Sequence, residues 1–457
     1  MKNILILGAG LSTSSLIRYL LQNAAEQDWH LHIVDQDIRI VEAKIQGSPL
    51  ATAYSFNAID PIERRPYIEK ADLVISMLPA KFHPGVARDC IDLKKDLITP
   101  SYVSEEVRAM HDEAEKAGIL IMNEIGVDPG IDHMSAMRVL DHIRENNGEM
   151  HIFESFTGGL IAPESDDNPW NYKFTWNPRN VVLAGQGGAA QFIQEGKYKY
   201  IPYTKLFRRT EIIDIEGYGL FEGYANRNSL AYRSVYNLDD IPTIYRGTLR
   251  RKGFSRAWDV FVQLGATDDS YTMEGSEHMS YRDFINSFLP YNENDSVELK
   301  LRHYMKIDLD DELWDKLVWL GIFDDTKMVG LKNATPAQIL QKILEDKWSL
   351  KEDDKDMIVM YHKFVYKIAG EFKEITSQMV SIGEDRTYTA MSNTVGIPMG
   401  ICAKMMLQNN IKLKGVRVPI YKEVYDPILN ELEQFNITFK EKNIEPPRLY
   451  NADLAWQ

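Results

Sequence analysis

The start of the chain constrains the fold most, because an apolar run, two glycines and a helical pattern follow one another directly. Residues 4–7 are all aliphatic, as in a strand buried on both faces of a parallel sheet. Gly8 and Gly10 come next, and apolar residues between Leu16 and Ala24 then recur at helical spacing. A strand that turns through glycines into a helix is the arrangement that binds a dinucleotide pyrophosphate. We therefore expect a dinucleotide-binding domain at the beginning of the chain.

The same alternation continues after this first unit. Strand-like segments, with helix-like stretches between several of them, lie at residues 31–35, 51–56, 72–78, 96–99 and 118–122. Repeated strand–helix–strand units predict a doubly wound parallel sheet of Rossmann type. The fold class is accordingly α/β, and we assign residues 1–125 to the dinucleotide-binding domain.

The pattern changes after about residue 123. A long helix is predicted at Ile131–Glu145, followed by strands at residues 151–157, 181–184 and Thr210–Ile215. Frequent Tyr and Trp and several glycine-rich turns indicate an α+β domain with a mixed sheet. We expect a substrate and dimerisation domain at residues 126–280 and 381–394.

Two further regions are predicted to be mainly helical. Residues 281–380 are expected to form a mostly helical insertion, with the charges at residues 351–356 on a solvated face. Residues 395–457 are expected to supply C-terminal helices that return to the dinucleotide-binding domain.

Charge and cysteine content exclude several classes of protein. The chain has 457 residues, with 52 Lys and Arg against 67 Asp and Glu, and its net charge of −15 disfavours a nucleic-acid partner. Two cysteines, Cys90 and Cys402, are too few for a disulfide framework or a cysteine-based metal site. Because no secretory signal or membrane-spanning run is present, we expect a cytoplasmic protein without a membrane partner.

The first glycine loop also gives a prediction of the cofactor. Its expected cofactor-binding residues are Gly8, Gly10, Leu11 and Ser12. Thr13 stands where such loops usually carry a third glycine, but the position between a strand and a helix supports the assignment. Asp35 ends the second strand, where a carboxylate accepts ribose hydroxyls and repels a 2′-phosphate, so NAD is favoured. An alternative is that Asp35 caps the following helix, and Arg39 keeps NADP possible.

A second glycine cluster, residues 185–188, also follows an apolar run. No acidic strand end follows at a suitable spacing, so we interpret these glycines as a structural turn.

Several aperiodic segments rich in polar residues, glycine and proline carry a family resemblance. They are residues 99–102, 123–133, 157–169, 172–176, 226–229 and 245–250. Together they resemble the saccharopine dehydrogenase family, and within it the glutamate-forming branch, over nearly the whole chain. The resemblance implies an NAD(P)-dependent oxidoreductase of lysine metabolism that acts on the CH–NH group of a secondary amine. Such enzymes interconvert saccharopine and water with glutamate and 2-aminoadipate 6-semialdehyde, and they are often homodimers.

Two residues depart from the family pattern. Thr157 occupies a position that resembles a cysteine in the fungal enzymes. Asp35 stands where the NADP-linked enzymes tend to have residues receptive to a phosphate. The second departure indicates a different cofactor and not a different reaction.

The resemblance gives a set of candidate substrate-binding residues. They are Ser101, Tyr102, Asp128, Arg227, Arg246, Gly247 and Thr248. Saccharopine carries three carboxylates, and planar guanidinium groups bind carboxylates in a bidentate manner, which favours the two arginines. Backbone N–H groups of the Gly–Thr pair are expected near a substrate carboxylate. Thr175, beside Trp176, is expected to border the cofactor or substrate cleft.

Asp128 and Tyr102 are the candidates for acid–base catalysis, with Lys173 and His133 behind them. Asp128 has a structural alternative, because Asp-Pro before a helical pattern is also an N-cap with proline at the first helical position. The ten histidines show no metal-ligand spacing, and we predict no metal.

Two competing functions remain at this stage. One is a reductase that joins a semialdehyde to a polyamine, as in carboxynorspermidine- or homospermidine-forming relatives. The acidic residues Glu164, Asp166 and Asp167 keep it open, whereas the two candidate arginines favour an anionic substrate. The other is a non-catalytic nucleotide-binding regulator, which fold alone does not exclude.

Overall fold

The computed structural model describes residues 1–448, which group into two compact units. The first unit comprises residues 1–149 and 379–440, and the second comprises residues 150–378 with the described chain beyond residue 440. No helix within residues 1–448 combines the length and apolar character needed to cross a membrane.

The amino-terminal part of the first unit alternates strands and helices. The elements are β1 (Lys2–Leu7), α1 (Ser14–Gln27), β2 (Trp29–Asp35), α2 (Ile38–Ile45), β3 (Ala51–Ser55), α3 (Pro61–Lys70), β4 (Leu73–Ser76), α4 (His83–Leu93), β5 (Asp96–Ile98), α5 (Glu105–Ala109), α6 (His111–Ala117), β6 (Leu120–Met122) and α7 (Ile131–Glu145).

The second unit combines long strands with short helices. The elements are β7 (Glu149–Ile161), α8 (Pro178–Val182), β8 (Ala190–Gln194), β9 (Lys197–Ile201), β10 (Thr210–Ile215), β11 (Gly219–Ala225), α9 (Tyr232–Val235), β12 (Thr243–Arg251), α10 (Phe254–Leu264), α11 (Tyr281–Asn286), α12 (Val297–Met305), α13 (Glu312–Trp319), α14 (Pro336–Trp348), β13 (Asp356–Ile368) and β14 (Glu371–Ile382).

The chain then returns to the first unit before its last strand. The elements are α15 (Ala390–Leu407), β15 (Gly415–Arg417), α16 (Lys422–Leu432) and β16 (Lys440–Ile444).

The first unit contains a seven-stranded sheet in the order β15-β6-β5-β4-β1-β2-β3, and each of its neighbouring pairs is parallel. Residues 4–7 of the central strand β1 are at most 1% exposed, as expected of a strand covered on both faces. The predicted α/β fold with a doubly wound parallel sheet is confirmed. In such sheets ligands bind beyond the carboxyl ends of the strands, which is where the glycine loop and the Ser101–Tyr102 segment lie.

Helix α15 packs against α1 of the same unit through small polar side chains. The Ser15 amide donates to the Ser392 hydroxyl at 3.0 Å, and the Ser15 hydroxyl donates to Oδ1 of Asn393 at 2.6 Å. Both bonds are buried, so the helix that follows the glycine loop is held by the carboxy-terminal part of the chain.

The second unit contains a nine-stranded sheet with the path β10-β11-β12-β7-β13-β14-β16, to which β8 and β9 add beside β12. Strand β12 runs parallel to β7 and antiparallel to β11, so the predicted mixed sheet is confirmed. In the β7–β12 register, Ser155 lies opposite Arg246 and Glu154 lies opposite Tyr245. Because side chains alternate along a strand, Arg246 and Glu154 point to opposite faces of the sheet.

The structure divides the chain differently from the expected boundaries. Helix α7 belongs to the first unit, where the Tyr425 hydroxyl on α16 donates to Oδ2 of Asp141 at 2.7 Å, although it was expected in the second domain. The predicted helical insertion is helical only as far as Trp348, because residues 356–382 form the strands β13 and β14. Of the C-terminal segment predicted at residues 395–457, residues 449–457 lie outside the described residues.

One predicted strand is wrong. Residues 181–184 lie at the end of helix α8 and just beyond it, because the Asn177 side chain accepts hydrogen bonds from the amides of Arg179 and Asn180 and starts a helix there. The glycines at 185, 187 and 188 that follow have positive φ angles, as in a turn.

Candidate active site

The glycine loop after β1 combines a tight turn with open space above the backbone. Gly8 has φ of +98°, and a Cβ atom there would lie 3.2 Å from the backbone carbonyl of Met77. A Cβ atom at Gly10 would meet nothing within 4 Å, and the neighbouring Leu11 side chain is 71% exposed. Ser12 lies in the short helical turn Leu11–Thr13 that precedes α1. This open backbone at a helix start fits the pyrophosphate of a nicotinamide dinucleotide.

Asp35 lies at the end of β2 and is bonded to this loop. Its Oδ2 accepts from the Ala9 amide at 2.8 Å, and its Oδ1 accepts from the Asp37 amide at 3.3 Å. The helix α2 is capped by Asp37, whose side chain accepts from the Arg39 amide, so the alternative that Asp35 caps this helix is wrong. Asp35 therefore orients the glycine loop.

One cation contacts the same loop, and a second lies on the helix α2 that follows Asp35. The Lys44 ammonium donates to the Gly10 carbonyl oxygen, and burial lowers the pKa of Lys44 to about 8. The Arg39 guanidinium lies 2.7 Å from Asp37, and its side chain is 84% exposed. The Lys44 ammonium therefore lies on the loop itself, whereas the Arg39 guanidinium is exposed and paired with the Asp37 carboxylate.

Tyr102 and Asp128, the two predicted catalytic residues, are in contact. The Tyr102 hydroxyl donates to Oδ1 of Asp128 at 3.3 Å. Tyr102 is 37% exposed and Asp128 is half-buried, so both groups are accessible. Helix α7 begins at Ile131 with Gly130 as its N-cap residue, so the alternative that Asp128 caps this helix is wrong.

Glu124 fixes the segment that carries Tyr102, and it is not among the site residues predicted from the sequence. Its Oε1 accepts from the Val103 amide at 2.8 Å, and its Oε2 lies 2.7 Å from Nε2 of His133. His133 is fully buried, so its imidazole lies inside the unit and not at an open surface, which does not support it as a proton donor to a substrate. The signal available in sequence was an acidic residue two positions after the end of strand β6, at the carboxyl edge of the sheet.

Arg246 lies in the second unit, and its side chain is buried. It is 5% exposed, and its guanidinium carbon lies 3.9 Å from the centre of the Tyr232 ring. The Arg246 amide donates to the Ser229 hydroxyl at 2.9 Å, and its carbonyl oxygen accepts from the Asn226 amide at 2.9 Å. Arg227 is exposed, and its carbonyl oxygen accepts from the Gln191 amide at 2.8 Å. The segment that contains Arg227 thus borders the strand that carries Arg246.

Gly247 and Thr248 lie inside β12, which β7 and β11 flank on both sides. Their backbone amides therefore face neighbouring strands, and the contact with a substrate carboxylate expected of these amides does not fit this register. A Cβ atom at Gly247 would lie 2.5 Å from the Phe156 ring, which explains the glycine by packing. The Thr248 side chain lies on the same face as Arg246, opposite Thr157 in the register.

Thr175 is also in the second unit and is 5% exposed. Its hydroxyl and that of Thr157 are buried and have no hydrogen-bond partner among the described residues. Buried polar groups are usually satisfied, so both hydroxyls are available to a ligand or a water.

Lys173 is buried in a salt-bridge cluster with two carboxylates. It is 1% exposed, and its ammonium lies 2.7 Å from Asp354 and 2.8 Å from Asp167. Hydrogen bonds from Lys173 and then Lys351 lower the pKa of Asp167 to about 2. An ammonium held by two carboxylates is a poor proton carrier, so the structure does not support Lys173 as an acid–base group.

The sequence predicts neither a metal site nor a reactive cysteine. Within residues 1–448, no group of three or more His, Cys, Asp and Glu side chains could hold a metal ion, and the absence of a metal stays a prediction. Cys90 and Cys402 are fully buried, and burial raises the pKa of the Cys402 thiol to about 12.

Models of two protein domains match consecutive parts of the chain. The saccharopine dehydrogenase NADP binding domain matches residues 4–122, and the saccharopine dehydrogenase C-terminal domain matches residues 126–437. The NADP(+)-linked, L-glutamate-forming saccharopine dehydrogenase of Saccharomyces cerevisiae is 32% identical over 450 residues, which cover 97% of this chain and 99% of that protein. The mitochondrial alpha-aminoadipic semialdehyde synthase of Rattus norvegicus is 31% identical, and the match covers 97% of this chain and 48% of that protein.

A solved structure agrees with these matches over the whole fold. The apo form of the L-Glu-forming saccharopine dehydrogenase from Saccharomyces cerevisiae superposes with a TM-score of 0.87 at 31% identity, covering 97% of this chain and 100% of that chain. The two-unit architecture, the glycine loop and the match along nearly the full length lead to one conclusion: the chain belongs to the saccharopine dehydrogenase family.

Proposed function

We propose that this protein is a saccharopine dehydrogenase of the glutamate-forming type. The reaction is saccharopine + NAD(P)+ + water → L-glutamate + 2-aminoadipate 6-semialdehyde + NAD(P)H + H+. The nicotinamide supplies the hydride acceptor, and the protein supplies binding, orientation and proton transfer. The family membership and the two relatives support this assignment.

The buried guanidinium of Arg246 is the observation that carries the proposal. Burying a cation is costly unless an anion or other polar groups compensate it, and the Tyr232 ring against one face of the guanidinium fixes the plane in which this group can bind a carboxylate. Arg227, on the bordering segment, is the second proposed carboxylate partner. An anionic substrate with several carboxylates matches these two arginines.

The Tyr102–Asp128 pair is the proposed acid–base unit. As the secondary amine of saccharopine is oxidised to an imine, the amine must lose its proton, and water then adds and needs proton transfer as the carbon–nitrogen bond breaks. The Asp128 carboxylate accepts the hydrogen bond of the Tyr102 hydroxyl at 3.3 Å, so the carboxylate can take a proton while the phenol keeps its orientation. Ser101, directly before Tyr102, is proposed to contact the substrate, and Thr248 and Thr175 to contact substrate and cofactor through their hydroxyls.

NADP is proposed as the primary cofactor, with NAD as the second. The sequence favoured NAD because of Asp35, but its two oxygens already accept amides of the chain, so its main task is orientation of the loop. Arg39 and Lys44 supply positive charge near a 2′-phosphate, and the family model and the yeast relative carry NADP in their names. We expect R39A to lower kcat/KM for NADP about tenfold and to leave kcat/KM for NAD unchanged. R88A, which removes another exposed arginine paired with a carboxylate, is the control.

The alternative of a polyamine reductase is disfavoured by the partners of its candidate acidic residues. Asp167 is bonded to Lys173 and Lys351, and Asp166 accepts from the Asn171 amide group at 3.0 Å. Asp167 is therefore compensated by two ammonium groups of the second unit, which disfavours its use in a pocket for a polycation.

The test is steady-state oxidation of saccharopine by the purified protein, with NADP and NAD measured in parallel by nicotinamide absorbance. Carboxynorspermidine and homospermidine serve as control substrates. We expect turnover with saccharopine, a higher kcat/KM with NADP, and none with the polyamines. Binding of NADPH without turnover of saccharopine would contradict the proposal and favour the non-catalytic regulator.

The homodimer and the cytoplasmic location stay predictions. Analytical ultracentrifugation of the purified protein tests the homodimer.

A further inference from the structure

A buried histidine joins three hydroxyl groups at the carboxyl edge of the first unit's sheet. His83, the first residue of α4, has Nδ1 3.1 Å from the hydroxyl of Ser76, at the end of β4. Its Nε2 lies 2.9 Å from the hydroxyl of Thr99, directly after β5, and 2.9 Å from the hydroxyl of Ser101. Both ring nitrogens are therefore engaged.

The burial of these four residues is graded. Ser76, Thr99 and His83 are at most 3% exposed, whereas Ser101 is half-buried. The imidazole therefore connects the interior of the sheet to one hydroxyl that reaches the accessible edge, next to Tyr102.

The environment keeps the ring neutral. Burial lowers the pKa of His83 to about 4, so near neutral pH one ring nitrogen donates and the other accepts. Hydroxyl groups can act as either partner, which satisfies both nitrogens in either tautomer. A neutral ring with fixed partners is suited to holding a hydroxyl in one orientation and not to carrying protons during turnover.

We propose that His83 is a positioning residue, which fixes the Ser101 hydroxyl for contact with the substrate or cofactor at the carboxyl edge of the sheet. The proposal rests on the proposed function, because it assumes that Ser101 takes part in that reaction. His83 itself touches no substrate and acts only through Ser101.

Two amide substitutions separate the two sides of the ring. The amide nitrogen or oxygen of asparagine can replace Nδ1, and the longer glutamine side chain can replace Nε2. H83Q is therefore expected to keep the bond to Ser101, and H83N is expected to keep only the bond to Ser76. We expect kcat/KM with saccharopine to fall at least tenfold in H83N and to stay within about threefold of wild type in H83Q.

A double-mutant cycle distinguishes positioning from a general structural role. If His83 acts through Ser101, S101A and H83N each lower kcat/KM, and the double variant H83N/S101A is no worse than S101A within about twofold. The pKa values of the pH–rate profile are expected to stay unchanged in H83N, because His83 does not titrate during catalysis. H111N, which removes a ring bonded to the Val416 backbone in the same unit, is the control and is expected to keep the wild-type kcat/KM.

S76A gives a second test if H83N does not fold. It removes the partner of Nδ1 without touching Ser101, and it is expected to lower kcat/KM about threefold in the wild type and not in the S101A background. Additive effects in the H83N/S101A and S76A/S101A cycles, or loss of one limb of the pH–rate profile in H83N, would overturn this inference and leave the proposed function intact. Absence of saccharopine turnover by the wild-type protein would overturn the proposed function and this inference with it.

Discussion

The substitution R246M tests how the second unit recognises its substrate. Methionine keeps a long, unbranched side chain on β12 and removes the charge and the hydrogen-bond donors. Arg246 is 5% exposed and lies 3.9 Å above the Tyr232 ring, so solvent screens its interaction with a carboxylate weakly. Removing one partner of a buried, hydrogen-bonded charge pair costs about 2–5 kcal/mol.

The low exposure of Arg246 favours the middle of this range. We expect a loss of about 3–4 kcal/mol, which corresponds to a roughly hundredfold to thousandfold lower kcat/KM for saccharopine. Because a carboxylate distant from the reacting carbon is bound equally in the ground state and the transition state, a rise in KM is expected to carry most of the effect.

R251M is the matched control for this experiment. Arg251 lies on the same strand, and its guanidinium carbon is 4.3 Å from the centre of the Phe221 ring, but its side chain points to the opposite face. Steady-state kinetics are measured for both variants, with thermal unfolding to confirm the fold. A kcat/KM of R246M within threefold of wild type, or an equal loss in R251M, would refute the reasoning.

Three further predictions follow from the two units. D128N and Y102F are each expected to lower kcat at least tenfold without a comparable change in cofactor affinity, and single-turnover kinetics check this; full turnover by D128N would exclude Asp128 as the proton acceptor. G247A is expected to destabilise the protein by about 1–3 kcal/mol, because its Cβ atom would lie 2.5 Å from the Phe156 ring, and F156L is expected to recover part of the loss in thermal unfolding. Burial lowers the pKa of His83 to about 4, so the unfolded chain binds a proton there below pH about 6.5 while the folded protein does not. The free energy of unfolding is therefore expected to fall as the pH drops from about 6.5 to 4, and H83Q is expected to flatten this dependence in urea titrations.

The parts of the fold that could be predicted are those with local signals. A buried strand, a glycine turn and a helix occur in this order in residues 4–24. This order made it possible to predict the parallel sheet of the first unit. Arg246 was found because a family resemblance singled it out, since spacing alone does not distinguish a buried arginine from a surface one.

The predictions failed where contacts between distant parts of the chain determine the local structure. Residues 356–365 are a continuous buried run, which shows neither strand nor helix periodicity, and only its place in the sheet makes it β13. The role expected of the Gly247 amide failed because β11 and β7 both pair with β12, a fact of long-range register. His83 and Glu124 were missed because their bonds to Ser101 and Val103 cross between different loops, and neither residue has a motif of its own.

The most direct test of the account is the product balance of a single reaction. Purified protein is incubated with saccharopine and NADP, and NADPH, glutamate and 2-aminoadipate 6-semialdehyde are quantified together by absorbance and mass spectrometry. The account predicts one glutamate and one semialdehyde for each NADPH formed. NADPH formation without glutamate, or cleavage to lysine and 2-oxoglutarate, would contradict it.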